Sequence, residues 1–144
     1  PLVTGNDRGL VITGHSLGAG LAVLAAGRLV SSNNDVDHVY TYGSPRVGLK
    51  DFATAYTAAL GMNTYRVINH IDIVTRVPLL LQNYRHVGRR MYFDGGGRFH
   101  ADAGAWHIAK DDVLARLRHF GRIASAGVSP HDIPRYQERI ETIQ

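Results

Sequence analysis

The sequence predicts an α/β fold on a parallel sheet, and three observations carry that expectation. Strand-like and helical segments alternate in the order βαβαβ over residues 10–69. The strands run continuously in Val, Ile and Tyr, as in Val39, Tyr40, Thr41, Tyr42, which suits a sheet covered on both faces and joined by right-handed helical crossovers. The run Gly14, His15, Ser16, Leu17, Gly18, Ala19, Gly20 stands between an apolar strand and a small-residue helix, the strand, sharp turn, helix context that projects one side chain above a sheet edge.

Each element has its own signal. Residues 10–13 are apolar and end at the glycine turn, giving the first strand. Residues 17–31 then read as a helix that is apolar nearly all round, from Leu17 through Leu21, Val23, Leu24 and Leu29, and are expected to form a buried central helix. A strand at 36–42, a helix at 49–60 and a strand at 64–69 follow. Beyond Asp72 the pattern is less regular. Pro78 breaks any helix, and residues 84–93 read as a strand that Gly95, Gly96 and Gly97 turn back into 99–103. Asp111 and Asp112 favour the first turn of a helix carrying Val113, Leu117 and Phe120. A last helix after His131 places Ile133, Tyr136, Ile140 and Ile143 on one stripe, with Pro134 tolerated in its opening turn. There is no internal repeat, low-complexity tract or dividing linker, so residues 1–144 are expected to form one domain.

Composition narrows the function classes. The chain of 144 residues is 44% apolar and 19% charged, which is globular. The longest apolar stretch ends at Arg28, well short of a membrane span. The absence of cysteine rules out disulfides, thiolate metal sites and cysteine nucleophiles. The net charge of +4 comes from the second half, where residues 73–144 hold eleven basic and seven acidic groups. Arg85, Arg89, Arg90, Arg98, Arg116, Arg118 and Arg122 could face an anionic lipid or acidic polymer, although a solvated surface is the simpler reading. No nucleic-acid module or metal-ligand spacing is present, and no cofactor is implied.

The chemistry converges on Ser16. A serine at a tight strand-to-helix turn sits in a strained conformation, with Gly14 and Gly18 letting neighbouring backbone pack close. The Leu17 amide, at the positive end of the following helix, faces the place where an oxyanion would develop. The alternative, an N-cap serine in a Gly-rich turn, requires no partners downstream. A serine nucleophile needs a base, and the base a carboxylate. In α/β hydrolases the chain order is serine, acid, histidine, each beyond the C-terminal end of a strand. Asp72 fits the acid at the exit of the 64–69 strand, against the plainer role of a turn or cap aspartate. Chain order removes His15, His38 and His70 as bases and leaves His86, His100, His107, His119 and His131. Of these, His131 stands in a loop free to reach Ser16.

At these residues the chain resembles the class 3, fungal-type triacylglycerol lipase family, an α/β-hydrolase family. The resemblance rests on VITGHSLGAGLA around Ser16, YTYGSPRVG at 40–48, YRVINHIDIVTRVP at 65–78, YRHVG at 84–88, and His131 ahead of Ile133 and Tyr136. It implies Ser16 as nucleophile, Asp72 as acid, His131 as base and Leu17 as an oxyanion donor. The implied activity is hydrolysis of carboxylic esters of lipids at a lipid–water interface, with secretion as the compartment. A glycine pair is common after the leucine of this turn in the family, and Ala19 departs from it by one methyl.

Val74, Val77, Leu79, Leu80, Leu81 and Val128 lie near the acid and base in sequence and are candidates for an acyl site, with core packing the equal alternative. The resemblance covers the central and C-terminal part of the family's domain. It therefore leaves out the N-terminal strands, the lid and the loop supplying a second oxyanion donor. A sheet cut there would have an open edge, which implies self-association or pairing with such a segment. An esterase, phospholipase or acyltransferase acting on other esters is the enzymatic alternative. A non-catalytic fragment that binds or assembles is the alternative from another class.

Overall fold

The computed structural model describes residues 9–78, 82–104 and 129–143. Within them, β1 (Val11–His15), α1 (Leu17–Ser31), β2 (His38–Tyr42), α2 (Lys50–Leu60), β3 (Thr64–Asn69), β4 (Arg89–Phe93), β5 (Phe99–Ala101) and α3 (Ile133–Glu141) follow in order. The sheet runs β1-β2-β3-β4-β5. The first four strands are parallel and β5 closes antiparallel on β4. The expected βαβαβ order and the hairpin are both present. The helix expected after Asp111, with its Val113, Leu117 and Phe120, lies outside the described residues.

Strand limits differ from expectation where side chains end the pairing. β1 runs to His15, so Ser16 leaves the strand directly, its amide donating to the Tyr42 carbonyl at 3.0 Å. The second strand begins at His38 instead of 36, because the Asp37 amide and carboxylate close on the Leu10 backbone just before it. Residues 84–88 are not strand, apart from a bridge between Arg85 and Gly48.

Core clusters flank the sheet on both faces, and two of them position the site. On one face Val23 and Ala26 of α1 pack with Val39 and with Ala53, Tyr56 and Leu60 of α2. On the other, Val67, Met91 and Phe93 pack with Tyr136 of α3. A fully buried Val or Phe side chain contributes about 1.5–3 kcal/mol, so these two clusters fix the sheet edge from which the loops emerge.

The expectation that α1 is buried all round is overturned. Its sheet-facing side is made of small residues, Ala19, Gly20, Ala22, Val23 and Ala26, which let the helix axis approach the strands closely. The larger leucines recur at the opposite side, with Leu17 72%, Leu21 58% and Leu24 47% exposed. Close approach selects the small face, and the apolar excess is left outside. Similarly, only Tyr136 of the expected α3 stripe is buried, while Ile133, Ile140 and Ile143 are exposed.

Cationic groups sit beneath the α2 side of the sheet. Arg66 of β3 is buried, and burial, with Arg90 and Arg46 next, brings its guanidinium down to about 9. His86 donates from Nε2 to the Thr75 carbonyl at 2.7 Å. Burial first and Arg66 second push this imidazole down to about 3. Below its ordinary value of 6.5, the unfolded chain takes up a proton that the folded protein refuses. Acidification from about pH 6.5 toward 3 should therefore cost stability, with a slope approaching ~1.4 kcal/mol per pH unit from this residue. Denaturant unfolding of His86→Asn and the parent across that range checks it, and the variant should show the shallower slope.

Candidate active site

Three segments far apart in sequence meet at the C-terminal edge of the sheet. The turn between β1 and α1 supplies Ser16, held at φ 57° and ψ −127°. That left-handed region costs a non-glycine residue about 1–3 kcal/mol. A Cβ on Gly14 would stand 2.3 Å from the Gly18 carbonyl oxygen, so the close approach expected at this turn requires glycine at 14. Gly18 has open space at its own Cβ position, and the expectation of close packing there does not hold. Ala19 is fully buried, so the extra methyl is accommodated.

The Ser16 hydroxyl makes no capping bond to α1. It lies 2.8 Å from His131 Nε2, which answers the N-cap alternative. His131 closes a three-residue 3-10 turn, Ser129–His131, ahead of α3. Its Nδ1 faces Asp72 at 3.1 Å from Oδ1 and 2.9 Å from Oδ2. Asp72 leaves β3 and is fully buried. It plays the cap role as well, since Oδ1 accepts from the Val74 amide at 2.9 Å.

Residues with no site role in the sequence analysis complete the arrangement. Tyr136 donates its hydroxyl to Asp72 Oδ2 at 2.6 Å and accepts from the Asn69 amide at 3.1 Å. Burial and the adjacent Asp72 carboxylate push this phenol far up, so it stays protonated as a donor. Asp72 thus receives Nδ1–H, Oη–H and N–H, three donors that fix the orientation of its buried carboxyl group. Asn69 Nδ2 donates to the Pro130 carbonyl at 2.9 Å, tying the His131 turn to β3. Only the spacing of Tyr136 after His131, on the face of α3 that turns inward, marked it in the sequence.

Gly43, just after β2, has φ 59°, and a Cβ there would stand 2.8 Å from both Asp72 Oδ2 and His131 Nδ1. Gly43→Ala should therefore lose about 1–3 kcal/mol to backbone strain. It should also cut turnover by roughly 10²-fold through displacement of the imidazole. Denaturation and ester turnover on the one variant read both effects.

Of the other candidate bases, His86 is engaged with Thr75 and His100 of β5 with Asp94 at 3.0 Å, while His107 and His119 lie outside the described residues. Leu17 opens α1, and as a first-turn amide it has no acceptor within the helix. Val74 and Val77 lie on and beyond the 3-10 turn Ile73–Arg76 that follows Asp72. Neither lines the apolar cavity of about 260 Å³ beside the site, which is walled by His15, Tyr42, Ile133, Tyr136, Gln137 and Ile140. Leu79, Leu80, Leu81 and Val128 lie outside the described residues. Among the described residues there is no cluster that could hold a metal ion, and no helix is long and apolar enough to cross a membrane.

A mostly parallel sheet with flanking helices, and a serine presented at the strand-to-helix turn, define an α/β-hydrolase fold. The model of the class 3 lipases matches residues 3–82, and the chain belongs to that family. Over 86 residues it is 44% identical to secreted mono- and diacylglycerol lipase 1 of Fusarium solani, covering 60% of this chain and 25% of that protein. Over 93 residues it is 36% identical to phospholipase A1-II 1 of Oryza sativa subsp. indica, covering 62% and 23%. The solved mono- and diacylglycerol lipase from Aspergillus oryzae superposes with a TM-score of 0.60 at 34% identity, over 68% of this chain and 38% of that one. A triacylglycerol lipase whose catalytic centre is formed by a serine protease triad superposes at 0.59 and 28% identity, over 66% and 37%. The chain spans about a quarter of the length of the curated relatives it matches.

Proposed function

We propose that this chain carries the acyl-transfer site of a lipid carboxylic-ester hydrolase, with Ser16 as nucleophile, His131 as base and Asp72 as the acid that orients it. The observation supporting this most is the continuous chain of bonds from Ser16 Oγ through the His131 ring to Asp72. With Nδ1–H directed at the carboxylate, Nε2 is left as acceptor for the serine proton. As Oγ attacks the ester carbonyl carbon, its proton passes to Nε2, and the carbonyl electron pair becomes an oxyanion facing the Leu17 amide. Collapse expels the alcohol, which takes the proton from Nε2, and leaves an acyl-serine. Water then attacks that ester, with His131 again as base, and releases the acid and free Ser16.

The names of the relatives from Fusarium solani and rice support lipid esters as the substrate class. Secretion is the compartment in keeping with the Fusarium solani enzyme's name. We read residues 1–144 as part of one α/β-hydrolase domain. Self-association through the outer edge of β1 has no support among the described contacts. Hydrolysis of nitrophenyl esters of increasing acyl length, with Ser16→Ala as the blank, tests the substrate class. Rates that rise with acyl length are expected, and a preference for acetyl esters would assign the site to the esterase alternative.

A further inference from the structure

His15 is the last residue of β1 and the immediate neighbour of Ser16. Its Nε2 lies 2.7 Å from the main-chain carbonyl oxygen of His131. A carbonyl only accepts, so the His15 Nε2 carries the proton and donates. The two imidazole rings stand 4.6 Å apart at 31°, and the edge of Tyr136 closes the other side at 5.7 Å and 70°. Sequence order excludes His15 as the base, and the mechanism above gives it no role.

We propose that His15 is a positioning residue that sets the distance between base and nucleophile. Besides its bond to Ser16, the His131 turn is held from three residues, Asn69, Asp72 and His15. Asn69 fixes the Pro130 carbonyl, and Asp72 fixes the imidazole, both to the end of β3. Among the described residues, the His15 bond is the one that ties the main chain of the turn to β1, the strand from which Ser16 emerges, and it grips the peptide of His131 itself. A short 3-10 turn has few hydrogen bonds of its own to resist rotation of that peptide. Loss of the His15 donor therefore leaves His131 bonded to Asp72 through Nδ1 and lets the ring turn so that Nε2 moves away from Ser16. Misplacement of a reacting group by about 1 Å is enough to slow chemistry by orders of magnitude.

This inference rests on the proposed roles of Ser16 and His131, and the test separates the two. In the full chain, His15→Phe keeps an aromatic ring but no donor. His15→Gln places an amide nitrogen the same number of bonds from Cα as Nε2. Two readouts are taken: the second-order rate of Ser16 labelling by a fluorophosphonate, and the Nε2 nitrogen shift of His131, which reports its bond to Ser16. His15→Phe should label at least roughly tenfold more slowly and move the shift to the value seen in Ser16→Ala, while its Nδ1–H resonance persists. His15→Gln should stay within about threefold of the parent on labelling and keep the parent shift. If His15→Phe does not fold, His15→Asn, one bond too short, takes its place. Parent-like labelling and shift in the donor-less variant would overturn the proposal. So would a folded His15→Gln that behaves like His15→Phe, since packing and not donation would then be what matters. A parent that is not labelled at Ser16 would sink the hydrolase reading instead, and the Nε2 shift would still decide the role of His15.

Discussion

Ser16→Ala is expected to lower ester turnover by on the order of 10⁶-fold while leaving the fold in place, because members of such a relay act as a unit. The hydroxyl makes no bond that supports α1, so its removal leaves no helix end uncapped that was capped before. The backbone strain is the same in the variant, since alanine carries the same Cβ at φ 57°. Unchanged unfolding midpoints together with abolished turnover is the expected pair of results. Residual turnover near the parent value would move the nucleophile elsewhere. Ser44 is the weak alternative: it is buried, and its hydroxyl is spent on the Pro45 carbonyl at 3.0 Å.

Asp72→Asn is expected to cost roughly 10⁴-fold in turnover, and the cause lies in the donors around that side chain. Tyr136 and Val74 both direct protons at the Asp72 oxygens. An asparagine has one acceptor oxygen to offer them, so its amide nitrogen turns toward His131 Nδ1. The imidazole then carries its proton on Nε2, where it points at Ser16 and cannot receive the serine proton. One of the two donors also loses its partner inside the protein, which should cost about 1–3 kcal/mol. Turnover and thermal unfolding of the variant read both effects. Near-parent turnover would transfer the acid role to Asp94 or Asp102, although the first is engaged by His100 and the second by Arg89.

Sequence and structure agree most where a local rule has one solution. The strand, glycine turn and small-residue helix around Ser16 could be read because a tight turn restricts both the residue types and their order. The acid could be read from chain order and its place at a strand exit. For the proposed base, chain order leaves five histidines and loop position favours His131, while the 3-10 turn that carries it has no local signal. What stayed hidden depends on contacts between distant segments. Tyr136 and Asn69 are ordinary residues until α3 folds against β3, and nothing in their local sequence marks a phenol aimed at a buried carboxylate. The outer face of α1 misled for a related reason. Apolar periodicity measures how much of a helix can be buried, whereas the side that meets the sheet is chosen by the size of Ala19, Ala22 and Ala26. Nearness in sequence to Asp72 does not by itself put Val74 or Val77 on the wall of the apolar cavity beside the site.

The central claim, that Ser16 is activated by His131 and Asp72 for acyl transfer, is tested most directly by mapping the site of a fluorophosphonate adduct. Peptide mass spectrometry of the labelled chain should find the adduct on Ser16 alone. Labelling should be lost in Ser16→Ala and slowed by roughly 10⁴-fold in Asp72→Asn. An adduct on Ser44 or Ser129, or labelling of Ser16 that is indifferent to Asp72, would contradict it.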